Sequence, residues 1–157
     1  MTRIDFYILP EQTGPTQSPV MAACRLCDKA VGAGLRVYIH TPDPVLADEV
    51  DGALWSFRQG GFIAHERHGE QALEAPLPPV LIGSREPPDS HQGVMVNLGL
   101  EVPESFSRFE RVLEIVAGDT QGRAKSRERF KFYRDRGYEL KTYEQTPEGG
   151  WTLRAQK

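Results

Sequence analysis

Short apolar runs alternate with amphipathic stretches along the first part of the chain. The runs at 4–9 and 35–39 are rich in β-branched and aromatic residues, which predicts two strands. Apolar residues at helical spacing follow each of them: one stretch begins at Ser18-Pro19 and ends at Gly32-Ala33-Gly34, and the other covers about 44–57. This order predicts right-handed βαβ units, and therefore a three-layer α/β fold with a mostly parallel sheet flanked by helices.

The middle of the chain predicts shorter strands separated by loops. Apolar runs at 80–82, 94–98 and 111–116 are bounded by turn-forming residues, which indicates three more strands. Residues 106–109 are expected in a short turn or helix. The polar, proline-rich segment 65–79 predicts a loop.

The last third of the chain holds the clearest helical segment. From Asp119 to Arg136 the chain contains no proline, is highly charged and is followed by Gly137, which predicts a helix that ends there. Residues 144–157 carry proline, two glycines and little periodicity. We therefore expect a single α/β domain over 1–143 and a C-terminal extension over 144–157 that stands apart from it as an appendage.

Composition and charge narrow the classes of protein. The chain has 19 basic and 22 acidic residues and a net charge of −3, so its overall charge does not suit binding to nucleic acid. No apolar run approaches the roughly 20 residues that span a bilayer, and the N-terminus has no apolar core or cleavage site typical of a signal peptide. Two cysteines do not make a disulfide framework. We expect a cytoplasmic protein without a membrane segment.

The motifs that usually carry chemistry have ordinary explanations in this chain. Cys24 and Cys27 fall inside a predicted helix, where packing is a better explanation than redox or zinc chemistry. His65 and His68 could offer two metal ligands, but zinc needs three or four. The glycines at 32–34 close a helix, whereas a dinucleotide-binding loop opens one. The chain has no phosphate-binding loop, which predicts a nucleotide-type fold without a nucleotide site. With no G-x-S-x-G elbow, no catalytic residue can be named, and we expect no metal or cofactor.

The helix at 119–136 concentrates positive charge in an acidic protein. It holds seven Lys or Arg and three Asp or Glu. At about 100° per residue, four cations share an arc of roughly 80°. These four residues, called here the basic stripe, are Arg123, Arg127, Lys131 and Arg134. Phe130 borders the stripe and Tyr133 lies farther round. Mutual repulsion disfavours such a stripe by a few tenths of a kcal/mol per pair. It is therefore either a site for an acidic partner or a solvated face, and the pattern alone favours neither.

Several segments resemble one family, the chi subunit of bacterial DNA polymerase III. The residues Arg-Glu-Arg-Phe-Lys-Phe-Tyr-Arg at 127–134, followed by Gly137-Tyr138, are similar to the C-terminal helix of that family. The first strand (5–9), the Leu-Trp and Phe-x-x-His stretches within 51–65, and the strand at 94–98 resemble its other parts in the same order. The resemblance covers about residues 3–143.

This resemblance implies a mononucleotide-binding-like (Rossmann-like) fold and a non-catalytic accessory subunit of the clamp loader. Chi subunits pair with the psi subunit and bind the acidic C-terminal tail of single-stranded DNA-binding protein, so contact with DNA would be indirect. By position, the basic stripe would receive that tail. The aromatic residues that would lie near an apolar pocket for its terminal Phe are Phe62, Phe130 and Tyr133. Three aromatic residues are candidates for an exposed psi-facing surface, with ordinary core packing as the alternative: Trp55, Phe106 and Phe109.

Two other functions remain open at this point. A direct nucleic-acid-binding module would use the basic stripe on phosphates, with steep salt dependence. A small enzyme of the nucleotide-fold type would need a polar pocket at the carboxyl ends of the strands.

Overall fold

A single twisted sheet organises the part of the chain that the computed structural model describes, residues 1–11, 18–56, 63–69 and 75–154. Its strands are β1 (Arg3–Ile8), β2 (Val37–His40), β3 (His65–Arg67), β4 (Val80–Gly83), β5 (Val94–Asn97), β6 (Arg111–Val116), β7 (Glu139–Gln145) and β8 (Trp151–Leu153). The helices are α1 (Pro19–Gly32), α2 (Pro44–Ser56) and α3 (Thr120–Asp135), with short 3-10 turns at Asp89–His91 and Phe106–Arg108.

The strand order is β3-β4-β2-β5-β6-β1-β7-β8, and all neighbours are parallel except the antiparallel pair β7–β8. Helices α1 and α2 cover one face, where their buried side chains pack against alternate residues of the central strands. Helix α3 covers the other face, and its Tyr133 packs against Ile4 and Phe6 of β1. The predicted three-layer α/β fold with a mostly parallel sheet is therefore confirmed.

The helix ends follow local rules that the sequence makes visible. The Ser18 hydroxyl caps α1 by accepting a hydrogen bond from the Met21 N–H at 3.1 Å. The Asp119 carboxylate caps α3 by accepting from the Gly122 N–H at 2.8 Å. Gly34 and Gly137, with φ of +84° and +81°, let the chain turn away after α1 and α3. The predicted bounds of both helices are thus confirmed within one residue or two.

Strand β3 lies inside the segment 65–79 that was predicted to be a loop. Its three residues are polar and largely exposed, so no alternation of apolar and polar positions marks them. They form a strand because the edge of β4 is available: His65 pairs with Val80, and the His68 N–H donates to the Ile82 carbonyl at 2.7 Å. The loop prediction was wrong for these residues, and tertiary pairing is the reason.

The C-terminal segment also differs from expectation, because it completes the sheet. Strand β7 continues to Gln145, beyond the expected boundary at 143, and β8 pairs with it. Tyr143 stacks on Tyr7 of β1 with ring centroids 4.9 Å apart, and Trp151 packs edge-on against the same ring at 5.0 Å. Residues 151–153 are therefore part of the fold and not an appendage.

Both cysteines belong to the core between α1 and the sheet, as predicted. Cys24 and Cys27 are fully buried and unpaired, and burial raises the pKa of the Cys24 thiol to about 12. A thiol so far from ionisation is a poor nucleophile and a poor metal ligand. Within the described ranges, no helix combines the length and apolar character needed to cross a membrane.

Candidate functional site

A buried charged cluster holds the inner side of α3 against the sheet. Glu114, in the middle of β6, has no exposed surface. One of its carboxylate oxygens accepts hydrogen bonds from Arg129 Nε at 3.0 Å and Asn97 Nδ2 at 2.8 Å, and the other accepts from the Tyr133 hydroxyl at 2.6 Å. Arg129 Nη1 also donates to the Leu100 carbonyl at 2.7 Å. Two residues of α3, one helical turn apart, are thus fixed to one carboxylate, which sets the rotation of the helix.

Burial and charge act in opposite directions on this cluster. Desolvation raises the pKa of Glu114, whereas the Arg129 guanidinium and the hydrogen bonds from Tyr133 and Asn97 work to lower it. Burial and the neighbouring carboxylate together raise the pKa of Tyr133, so its hydroxyl stays a donor. A carboxylate with three donors is well satisfied, but it depends on each of them.

The outer side of α3 carries the basic stripe. Arg127, Lys131 and Arg134 are exposed, whereas Arg123 is half-buried and its Nε donates to the Gly118 carbonyl at 3.0 Å. The ion pairs that α3 makes with described carboxylates involve Lys125, Arg129 and Arg134. Arg134 Nε lies 3.5 Å from the carboxylate of its neighbour Asp135. Arg127 and Lys131 therefore have no carboxylate partner among the described residues.

One flank of α3 faces strand β7. On the opposite flank, Lys125 pairs at 3.1 Å with Glu101, which follows β5. Phe130 lies on the flank that faces β7, and its ring centroid is 5.5 Å from that of Phe6 in β1. Because β7 is the next strand beyond β1, the half-buried Ile8 and Leu140 lie on the same side of the sheet as Phe130 and pack against the same cluster. We call the surface between the basic stripe, which supplies cations, and these three residues, which supply an apolar floor, the α3–β7 groove.

Two of the three aromatic residues that the sequence places near a pocket for the partner's terminal Phe are not observed there. Tyr133 is fully buried, so the expectation that its ring is available to a partner is wrong. It projects from the same side of the helix as Ser126 and Arg129, towards Glu114 and the core. Phe62 lies outside the described residues. Phe130, half-buried at the edge of the groove, is the aromatic residue that α3 offers there.

Of the three aromatic residues expected on a psi-facing surface, two are buried and one is exposed. Phe106 and Phe109 are 8% and 2% exposed, so the expectation of exposed aromatic residues is wrong for both. Phe106 packs edge-on against Tyr133 with centroids 5.2 Å apart, which places its turn in the core beneath α3. Trp55 is different: it is 59% exposed at the end of α2, and its ring lies 5.4 Å from that of His65.

His65 is held by the oxygen atoms of two residues. Its Nε2 is 2.6 Å from the Asp51 carboxylate and its Nδ1 is 2.6 Å from the Ile63 carbonyl. His68 contacts the Tyr38 hydroxyl through Nδ1 at 3.3 Å. In the described residues, no group of three or more His, Cys, Asp or Glu is arranged to hold a metal ion.

Comparison with known proteins decides the family. Residues 1–141 match the family described as "DNA polymerase III chi subunit, HolC". This chain belongs to that family. It is 41% identical over 143 residues to DNA polymerase III subunit chi of Pseudomonas aeruginosa, which covers 91% of this chain and 96% of that protein. The same-named proteins of Haemophilus influenzae (30%, 87% and 93%) and Escherichia coli (24%, 90% and 97%) are also similar.

The resemblance predicted from the sequence is thereby confirmed, and the chi family is one of replication accessory subunits of DNA polymerase III. The family match ends at residue 141, so β8 and the turn before it lie outside it. In this chi-family chain, sequence reasoning missed the Glu114 cluster. Its one visible signal was a lone carboxylate in the otherwise apolar run of β6.

A cavity lies at the carboxyl ends of β2, β4 and β5, where nucleotide-binding α/β folds hold their ligands. This cavity has a volume of about 880 Å³. Its described lining includes two guanidinium groups and four carboxylates: Arg85, Arg108, Asp43, Glu86, Glu101 and Glu104. Glu86 pairs with Arg108 and Glu101 with Lys125. An excess of carboxylates disfavours the phosphates of a nucleotide, which agrees with the absence of a phosphate-binding loop from the sequence.

Proposed function

We propose that this chain is a cytoplasmic, non-catalytic subunit of the polymerase III clamp loader, which captures the acidic C-terminal tail of single-stranded DNA-binding protein. A single observation carries this proposal. Two exposed cations of the basic stripe, Arg127 and Lys131, lack a described carboxylate partner and lie beside the half-buried Phe130 on α3, in a protein whose net charge is negative. The cations of the stripe repel each other, and an acidic segment that binds there would offset this repulsion.

The groove suggests how the tail would be held. Long-range attraction by the stripe would speed encounter and make binding sensitive to salt. The tail carboxylates would then pair with Arg127 and Lys131, while the terminal Phe enters the apolar floor beside Phe130. Burial of one Phe contributes about 1.5–3 kcal/mol, so we expect an affinity in the micromolar range, suited to a contact that forms and breaks repeatedly.

The tail assignment can be tested by titrating a synthetic acidic peptide that ends in Phe into the full-length protein by calorimetry. The double variant Arg127→Ala, Lys131→Ala should bind at least about tenfold more weakly, because two charge-assisted contacts are lost. Lys125→Ala is the matched control, since Lys125 lies on the opposite flank of α3 and pairs with Glu101. Equal binding by the double variant and the wild type would contradict the assignment. A single-stranded oligonucleotide that binds more tightly than the peptide would instead favour the nucleic-acid alternative.

The pairing with a psi subunit is assigned to a different face. Trp55 is the exposed aromatic residue of α2, and Val45 on the same helix is 65% exposed. Both lie away from α3, because α2 packs on the opposite side of the sheet. Large apolar side chains that remain exposed among polar residues are typical of a surface that a partner covers.

Trp55→Ser should therefore abolish binding to a purified psi subunit while the affinity for the acidic peptide is unchanged. The change removes an indole that can bury a large apolar area in an interface. Leu153→Ser is the control, because Leu153 is 54% exposed on β8 and far from α2 in the strand order. If the two variants bind psi equally well, Trp55 is not part of that interface.

A further inference from the structure

The β7–β8 hairpin places one more cation on the same side of the sheet as α3. Arg154 follows β8, and its N–H donates to the Thr142 carbonyl at 2.7 Å, which continues the register in which Glu144 opposes Thr152. Residues that oppose each other in an antiparallel pair project to the same side of a sheet. Thr142 is aligned with Phe6 of β1, which Phe130 contacts from α3. Arg154 therefore projects to the side of the sheet that α3 covers.

The strand order sets the distance between this cation and the groove. Strand β8 is two strands away from β1, and neighbouring strands are about 4.8 Å apart, so Arg154 lies roughly 10 Å to the side of the Phe6 row. A peptide in the α3–β7 groove would run between the basic stripe on one side and Arg154 on the other.

The free protein already holds this guanidinium with a carboxylate. Arg154 Nε donates to Glu144 Oε1 at 2.6 Å, and Nη2 contacts the same oxygen. Both side chains are about half exposed, so the pair is open to exchange with another carboxylate. Glu144 projects to the α3 side too, because it is aligned with Ile8. It therefore stands beside the groove as a negative charge that an acidic peptide must approach.

We propose that Arg154 is a fifth cation of the peptide site and that Glu144 competes with the acidic peptide for it. When the peptide binds, Arg154 releases the Glu144 carboxylate and pairs with a carboxylate of the peptide. Arg154 therefore favours peptides that have a carboxylate on the β8 side of the groove. Strand β8, which leads to Arg154, lies beyond residue 141, where the match to the chi family ends. The inference rests on the function proposed above.

Calorimetric titration of the acidic peptide into three variants tests this exchange. Glu144→Gln frees Arg154 and should tighten binding about threefold, and Arg154→Gln should weaken it by a similar factor, as expected for exposed ion pairs. In the double variant the gain from Glu144→Gln should be lost, because the cation that it frees is absent. Glu139→Gln is the control: it removes the same charge from β7, but alternation along the strand places it on the α1 side.

The outcomes separate this inference from the assignment of the groove. If the wild type binds the peptide and the stripe variant does not, but Arg154→Gln binds like the wild type, the exchange is wrong and the tail site stands. If Glu144→Gln and Glu139→Gln tighten binding equally, the effect is one of net charge and the exchange is again wrong. If the wild-type chain does not bind the peptide at all, the proposed function fails first.

Discussion

Replacing Arg129 by Met should lower the free energy of unfolding by about 3–5 kcal/mol, the usual cost of removing one member of a buried ion pair. Methionine keeps most of the side-chain volume but donates no hydrogen bond. Glu114 would then remain fully buried with only Asn97 and Tyr133 as donors. The Leu100 carbonyl would also lose its donor. Denaturant unfolding followed by circular dichroism measures the loss.

The matched control is the same substitution two residues earlier. Arg127→Met changes the outer face of α3, where the side chain is exposed and has no described carboxylate partner, so we expect a change within about 0.5 kcal/mol. Replacing Glu114 as well, in Glu114→Met, Arg129→Met, should recover part of the loss because no uncompensated charge remains. Equal stability of Arg129→Met and Arg127→Met would show that the buried cluster does not hold α3.

Gly118→Ala should destabilise the protein by at least about 2 kcal/mol, because the added methyl group meets backbone that has no room to move aside. A Cβ at this position would overlap the Pro10 carbonyl oxygen and would lie 2.6 Å from the carbonyl carbon. Gly118 therefore permits the turn before α3 to pass directly against the end of β1. The variant should unfold at lower denaturant concentration without a change in secondary structure.

Gly52→Ala provides the opposite case with identical chemistry. Gly52 is exposed in the middle of α2, and no atom lies within 4 Å of its would-be Cβ. Alanine is the better helix former, so this variant should gain roughly 0.5–1 kcal/mol. If both variants shifted the unfolding midpoint in the same direction, the close approach of Gly118 to Pro10 would not be the cause.

Local rules explain why the sequence predicts most of the fold. The ends of α1 and α3 are marked by capping residues and by glycines with positive φ, and the central strands by continuous apolar runs. These signals lie within a few residues of the structure that they predict. Strand β3 has no such signal, since three polar residues become a strand only when β4 is beside them.

The candidate site shows the same limit. Helical spacing places the cations of the basic stripe on one side, but it does not say which side meets the sheet. Tyr133 and Arg129 could be read as surface residues because both are polar and charged neighbours surround them. Their burial depends on Glu114, which is 15 residues from Arg129 and 19 from Tyr133 in the sequence. Contacts between distant segments do not change the spacing of apolar residues in either segment, so this spacing does not predict them.

The short strand β8 has a consequence for how copies of this protein behave at high concentration. Without it, β7 would present seven residues of unpaired backbone at the edge of the sheet, a template on which another chain could add a strand. Strand β8 covers the last three of them, and the rest of the edge carries Glu139 and Lys141, charges that oppose such pairing. The hairpin should therefore reduce edge-to-edge aggregation of the protein. This reduction leaves more of the protein available to bind the other subunits of its complex.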